Sequence, residues 1–490
     1  MNSYLSARWN KLMSKNRMPD EEVMNKKSLL SSYAEGIFDT THGESYRTIF
    51  KYFLPEFVTS LVLYALIPMF DARWIACLKS TSLYATMGAT NTLLHFIIKT
   101  AEGFSVGTVI LTGQYNGRGD YKGVGKSVVS AFWVTVVVGG VLASLLYWGA
   151  ETIYVMYGLP TKMIQHGIPV LRLRAVSIFF MFLYFALIGF LRGIKKPRVP
   201  MQIFIVGAVL FLLFDYVLIF GTFGFPALGV LGSAWASVIQ YGVMLLLAIA
   251  YVVWDEDNRK YGINLFTHML SWSHVKDIMY LSIPVVLDKA LFAAAYIWLG
   301  TLINPMGKYV IASYQVIRDL ERFAIQPAAA FAQVITYLVS NSFSVRDWQG
   351  IKSNIKKTVF LSSIMVCTIL VICSLYSRTI IQLFDTKGKF TEFSATVFPV
   401  ISILVFFDLL QLVLSGALRG AANVQVVFWT RLVVFAGYFL PVSIMVSWLP
   451  LSNQMFKFML LYCLFYVGSG FMSLVYIYRF RGDAWKQKLI

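Results

Sequence analysis

Ile188–Gly193 reads Ile-Gly-Phe-Leu-Arg-Gly, and Ser415–Gly420 reads Ser-Gly-Ala-Leu-Arg-Gly. Each closes a long apolar segment, and the two Leu-Arg-Gly triplets start at Leu191 and Leu418. Ala85 and Ala312 repeat at the same offset, and Pro55 and Pro284 at nearly the same one. The chain reads as one hydrophobic half written twice. In a membrane protein such a repeat points to two lobes with a site between them.

Composition supports the bilayer. Of 490 residues, 58% are hydrophobic and 13% charged, against roughly 25% charged in a soluble domain. Met1–Arg47 is polar, without the apolar core of a cleavable signal. Cys77, Cys367, Cys373 and Cys463 show no Cys-x-x-Cys spacing, and the five histidines no paired-ligand spacing, so no structural metal is expected. The net charge of +18 follows the ends of the spans, which argues against nucleic acid as a partner.

A helix needs about 20 apolar residues to cross a bilayer. Twelve such spans are read, near 52–70, 82–114, 127–149, 163–191, 199–222, 228–254, 276–303, 309–341, 355–376, 393–418, 424–449 and 456–479. Lys and Arg between them are lopsided, with 27 on the side of the termini and 8 on the other. The positive-inside rule then puts both termini in the cytoplasm. The expected fold is all-α, integral to the membrane, with twelve transmembrane helices in two pseudo-symmetric six-helix lobes. The expected division is a cytoplasmic tail (1–45), an N-lobe (46–255), a linker (256–275), a C-lobe (276–482) and a second tail (483–490). Tyr4–Met13 is amphipathic enough to lie on the inner leaflet as a helix.

Charges inside spans are costly, by roughly 2.5–3.5 kcal/mol on insertion scales, and mark functional sites. Asp408, with Gln411 one turn on, sits deep in the tenth span, and Asp288 sits one turn after Pro284 in the seventh. A carboxylate near a carbonyl freed by proline suits sodium or a proton; for Asp288 the competing reading is an ion pair with Lys289 or a neighbouring arginine. Asp215 interrupts the fifth span, and Asp71 ends the first, where pairing with Arg73 is the plainer reading. Asn91, His95 and Lys99 share one face of the second span. The repeat offset carries them onto Arg318, Arg322 and Gln326 in the eighth, with Asp319 and Glu321 beside them. Two polar stripes at equivalent positions predict facing walls of a central cavity or an internal salt-bridge network. Arg172 and Arg174 lie where they could snorkel to the interface. Pro55, Pro68 and Pro284 are the expected bend points.

Several stretches resemble one family: DLLQLVLSGALRG (408–420), LRGIKKPRVPM (191–201), FDYVLIFGTFGFPALGVLGSAWAS (214–237), AFAQVITYLVSNSF (330–343) and GFSVGTVILTGQYNG (103–117). Together they resemble the multidrug and toxic compound extrusion (MATE) family, of the superfamily that includes oligosaccharidyl-lipid flippases, over residues 46–482. The resemblance implies two bundles forming a V and antiport of amphipathic, often cationic compounds against protons or sodium, with no other cofactor. By position, Asp408 matches the tenth-span acid, and Asp71 and Asp215 the first-lobe pair, each a candidate sodium or proton site. Two departures stand out: Asp288 falls one turn early, with Phe292 in the usual place, and Phe211 replaces an asparagine. Arg318, Arg322 and Lys99 in the cavity favour anionic or zwitterionic cargo. A monomer in the inner or plasma membrane is expected. The rival reading is a flippase for a lipid-linked anionic substrate. An enzyme is not expected: there is no loop-borne catalytic cluster, and GRGDYKGVG (117–125) falls in a short turn rather than a nucleotide-binding strand–helix unit.

Overall fold

The computed structural model describes residues 33–487, apart from 34, 266–270, 386–387 and 451–452. Tyr4–Met13 lies outside the described residues. Twelve helices among the described residues are long and apolar enough to cross a membrane. They are α1 Tyr46–Cys77, α2 Thr81–Gly117, α3 Tyr121–Trp148, α4 Thr161–Gly193, α5 Arg198–Phe220, α6 Val230–Trp254, α7 Trp272–Ile303, α8 Lys308–Ser344, α9 Trp348–Leu375, α10 Thr391–Gly420, α11 Val424–Trp448 and α12 Gln454–Arg481. No strand occurs among the described residues.

Two of the larger boundary differences have a local cause. α3 starts at Tyr121 and α9 at Trp348, well before their apolar runs, because Asp120 and Asp347 cap them. Their carboxylates accept from the Gly123 amide at 2.9 Å and the Gly350 amide at 2.8 Å. The two caps occupy equivalent positions of the repeat. So do the left-handed turn residues Gly119 and Arg346, and Lys195 and Ala422. The backbone thus repeats more faithfully than the side chains. Of the expected bend points, Pro55 and Pro284 lie within continuous α-helix. Pro68 instead follows a π-helical turn, Val62–Leu66, and Pro441 follows another, Phe435–Phe439. The wider turn makes room for a ring that would collide with the carbonyl four residues back.

The opening motif shows its physical purpose here. Gly189 and Gly193 press α4 against Ser105, Val109 and Thr112 of α2, so that a methyl on either would overlap its neighbours. Gly416 and Gly420 press α10 against Ala332, Thr336 and Val339 of α8, the same register in the second half. This is the small-xxx-small packing by which helices approach closely in lipid, where apolar surface alone gives no preference for protein over tail. The arginine inside each motif turns to the first helix of its own half. Arg192 holds buried Glu56 of α1 at 2.7 and 2.9 Å, and Arg419 holds Asp288 of α7 at 2.6 Å.

The two halves meet along α2, α7 and α8. Gly103 and Gly107 lie against Val286 and Ser282 of α7, and Gly113 and Gly117 against Ser340 and Asn341 of α8. Asn116 donates to Asn341 at 2.8 Å, and Asn341 donates to the Gly193 carbonyl at 2.8 Å. At the face carrying the start of α1, Lys357 of α9 donates to the carbonyls of His42 and Glu44 at 3.0 and 3.1 Å, strapping the approach to α1 onto the other half. Every residue of Ala101–Gln114 is buried except Glu102, whereas α2 before Ala101 buries about one residue per turn. α8 changes likewise at Pro327. The molecule is therefore a V, sealed at the face of the termini and parted at the opposite one.

Candidate functional site

Three charged clusters lie in or beside the V. In the first half, Asp71 of α1 accepts from the Ser233 hydroxyl of α6 at 2.6 Å, and the Arg174 guanidinium of α4 stands 3.9 Å away. Arg174 also donates to Ser233 at 2.8 Å and to Ser237. Asp71 thus has inward partners, not Arg73, and Arg174 is held in the bundle while Arg172 faces out over the Tyr147 ring. Asp215 of α5 is completely buried, with both carboxylate oxygens short of a hydrogen-bonded partner; its neighbouring hydroxyl, Ser233, is committed to Asp71.

In the second half, Asp288 is clamped by Arg419 of α10 and Arg431 of α11, not by Lys289. Arg431 also lies over the Phe292 ring, 5.0 Å from its centre. Asp408 accepts from Ser469 of α12 at 3.1 Å. Two carboxylates, Asp288 and Asp408, thus share a buried neighbourhood with two guanidiniums, and the cluster is balanced without an added cation.

Glu321 and Gln411 correct the cavity-wall expectation. Both are buried within the second half, because on their helices they point away from the cleft. Glu321 accepts from Tyr462 of α12 at 2.6 Å among Tyr314, Tyr296 and Tyr466, and its other oxygen is unpartnered.

The third cluster is the floor of the cleft. His95 and Lys99 of α2 face Arg322 of α8, and Asp319 pairs with Arg322 at 3.5 Å, half exposed. Asn91 and Gln326 lie on the same two helices, partly exposed, and Arg318 stacks over Tyr314, 5.3 Å from the ring centre. Glu102 stands between Lys99, at 3.2 Å, and Lys289 of α7, at 2.5 Å, and also accepts from Tyr64 of α1. Sequence reasoning missed Glu102, although its place one turn after Lys99 on the polar stripe was readable. It also missed Arg431, a lone cation in an apolar helix. Tyr64, Ser233 and Ser469 carried no signal.

A duplicated, twelve-helix V with a charged cleft defines a multi-pass membrane transporter. The profile of the MatE family matches residues 57–217 and 284–449, and the chain belongs to that family, which is one of transporters rather than enzymes. It is 25% identical over 410 residues to the probable multidrug resistance protein YoeA of Bacillus subtilis, covering 81% of this chain and 85% of that one. It is 28% identical over 376 residues to the probable multidrug resistance protein NorM of Rhizobium meliloti, covering 73% and 77%. Solved structures share the fold. One is an outward-facing multidrug resistance MATE transporter, with TM-score 0.82 and 16% identity over 91% of this chain and 98% of that one. Another is a MOP-superfamily transporter of Pyrococcus furiosus whose binding pocket is described as of reverse polarity, with TM-score 0.81, 16% identity and the same coverage.

Proposed function

We propose that this protein exports amphipathic small molecules, drugs among them as in its named relatives, by alternating access of the two lobes, and that protons drive it through Asp215. Asp215, buried beside Asp71 with neither oxygen hydrogen-bonded among the described residues, carries this reading. The cluster holds two carboxylates and one guanidinium, so it lacks one positive charge, and an unpaired charge in the interior is strongly disfavoured. A proton needs only one oxygen of Asp215. A sodium ion would need several ligands and would sit against Arg174. In the second lobe Arg419 and Arg431 supply the cations for Asp288 and Asp408, while Glu321 stands apart among tyrosines. Each charge moving down 100 mV supplies about 2.3 kcal/mol, roughly a fifty-fold gradient of cargo.

The positive-inside distribution supports a cytoplasmic sealed face, with the V opening outward. At its floor, Lys99, Lys289 and Arg322 outnumber Glu102 and Asp319, which favours cargo with an anionic or zwitterionic end. The test is efflux from proteoliposomes under separate pH and sodium gradients. Dye export driven by the pH gradient alone, and lost in Asp215→Asn, is expected. Export sustained by sodium alone, or pH-driven export in Asp215→Asn, overturns the reading.

A further inference from the structure

We propose that Glu102 is a built-in stand-in for the anionic group of the cargo: it holds the two lysines on which that group lands and ties the lobes together until it is displaced. This rests on the anion-favouring reading of the cleft.

Glu102 is the one residue of Ala101–Gln114 that is not buried, and it sits where the halves begin to part. Its Oε2 lies 3.2 Å from the Lys99 ammonium of the first half and 2.5 Å from the Lys289 ammonium of the second. Its Oε1 accepts from the Tyr64 hydroxyl, and the Lys99 ammonium also covers the Tyr64 ring, 4.0 Å from its centre. The side chains of Glu102 and Lys289 are 13% and 17% exposed, that of Lys99 41%.

One carboxylate cannot neutralise two ammonium groups, and the nearby Arg322 pairs, among the described residues, with Asp319, a separate and exposed partner. Lys99 presents its amino group to the cleft, crowded by Lys289 and Arg322, and an added anion there would offset that crowding of positive charge. A carboxylate, sulfonate or phosphate on an amphipathic molecule has the same acceptor chemistry as Glu102 and fits the same donors. Glu102 is saturated by two lysines and a tyrosine, so it has no free capacity to receive a cationic cargo. The pair Glu102–Lys289 crosses the seam. Cargo that takes Lys289 from Glu102 removes an ion pair between the lobes, and binding thereby biases them toward separation.

The experiment is equilibrium binding to the full-length protein in nanodiscs, with carboxyfluorescein as anionic probe and ethidium as cationic probe. Glu102→Gln removes the internal competitor and is expected to tighten carboxyfluorescein about tenfold, the scale of one charge-assisted contact. Lys99→Gln and Lys289→Gln are expected to weaken it by a similar factor and to leave ethidium within about twofold. Carboxyfluorescein affinity that is unchanged or weaker in Glu102→Gln overturns the stand-in role while leaving the polarity reading intact. Ethidium binding that is lost in Glu102→Gln makes Glu102 a receptor for cations and also overturns it. Wild-type protein that binds ethidium but not carboxyfluorescein overturns the polarity reading itself. Carboxyfluorescein affinity unchanged in Lys99→Gln, at a half-exposed position, overturns the lysines as the landing site, and with it the stand-in role, even if Glu102→Gln is unstable.

Discussion

Asp288 and Asp215 illustrate opposite fates for a buried carboxylate. Asp288 is matched by two guanidiniums, and removing it strands both. Asp288→Asn is expected to destabilise the protein by about 3–5 kcal/mol, read as a large drop in the detergent melting temperature. Asp408→Asn, at a site whose hydrogen-bonding partner is a serine, should cost much less. Outside the membrane, Asp385 shows the sign of a pH effect. Burial pushes its carboxyl up, but the amides of Phe390 and Thr391 and the Thr391 hydroxyl outweigh that and hold it down at about 2. A depressed carboxylate stabilises the fold fully above its unfolded value of about 3.9 and loses that contribution as pH falls toward the folded value. The melting temperatures of wild type and Asp385→Asn should therefore differ at pH 7 and draw together below pH 4; a constant gap would contradict this.

At the scale of the element, the glycines of the repeated motif and those elsewhere do different work. Gly416 abuts the Ala332 backbone of α8, which cannot give way, while Gly437 has open space around it. Gly416→Leu is expected to abolish the folded yield by forcing α10 from α8. Gly437→Ala should be tolerated, gaining up to about 1 kcal/mol of helix propensity. Size-exclusion profiles and melts of the two variants check this directly. The repeat was legible as Leu-Arg-Gly, but the reason for its glycines was not, because a pattern on one helix does not say which helix it meets.

For the whole molecule, the seal at Asn116–Asn341 and the strap of Lys357 on His42 and Glu44 must open for the lobes to exchange sides. Cysteines at Asn116 and Asn341, in a background with the four native cysteines replaced by serine, should be bridged by a short bifunctional methanethiosulfonate, which joins each thiol through a reducible disulfide. Transport should stop and return on reduction. Uninterrupted transport by the cross-linked protein would show that this seam is not a gate.

The twelve spans, the duplication and the presence of intramembrane charges were all readable from the chain, because hydrophobic length, offset and the cost of charge in lipid are properties of local sequence. The pairing of those charges was not. Of the two partners offered for Asp288, Lys289 or a neighbouring arginine, the fold chose arginines, Arg419 and Arg431; Asp71 went to Ser233 and Arg174 rather than Arg73, and Glu321 turned from the cleft into the tyrosines of α12. Each choice is made between helices far apart in sequence. In a low-dielectric interior, a charge takes whichever partner the packing brings within about 3 Å, and only the tertiary structure decides which one that is.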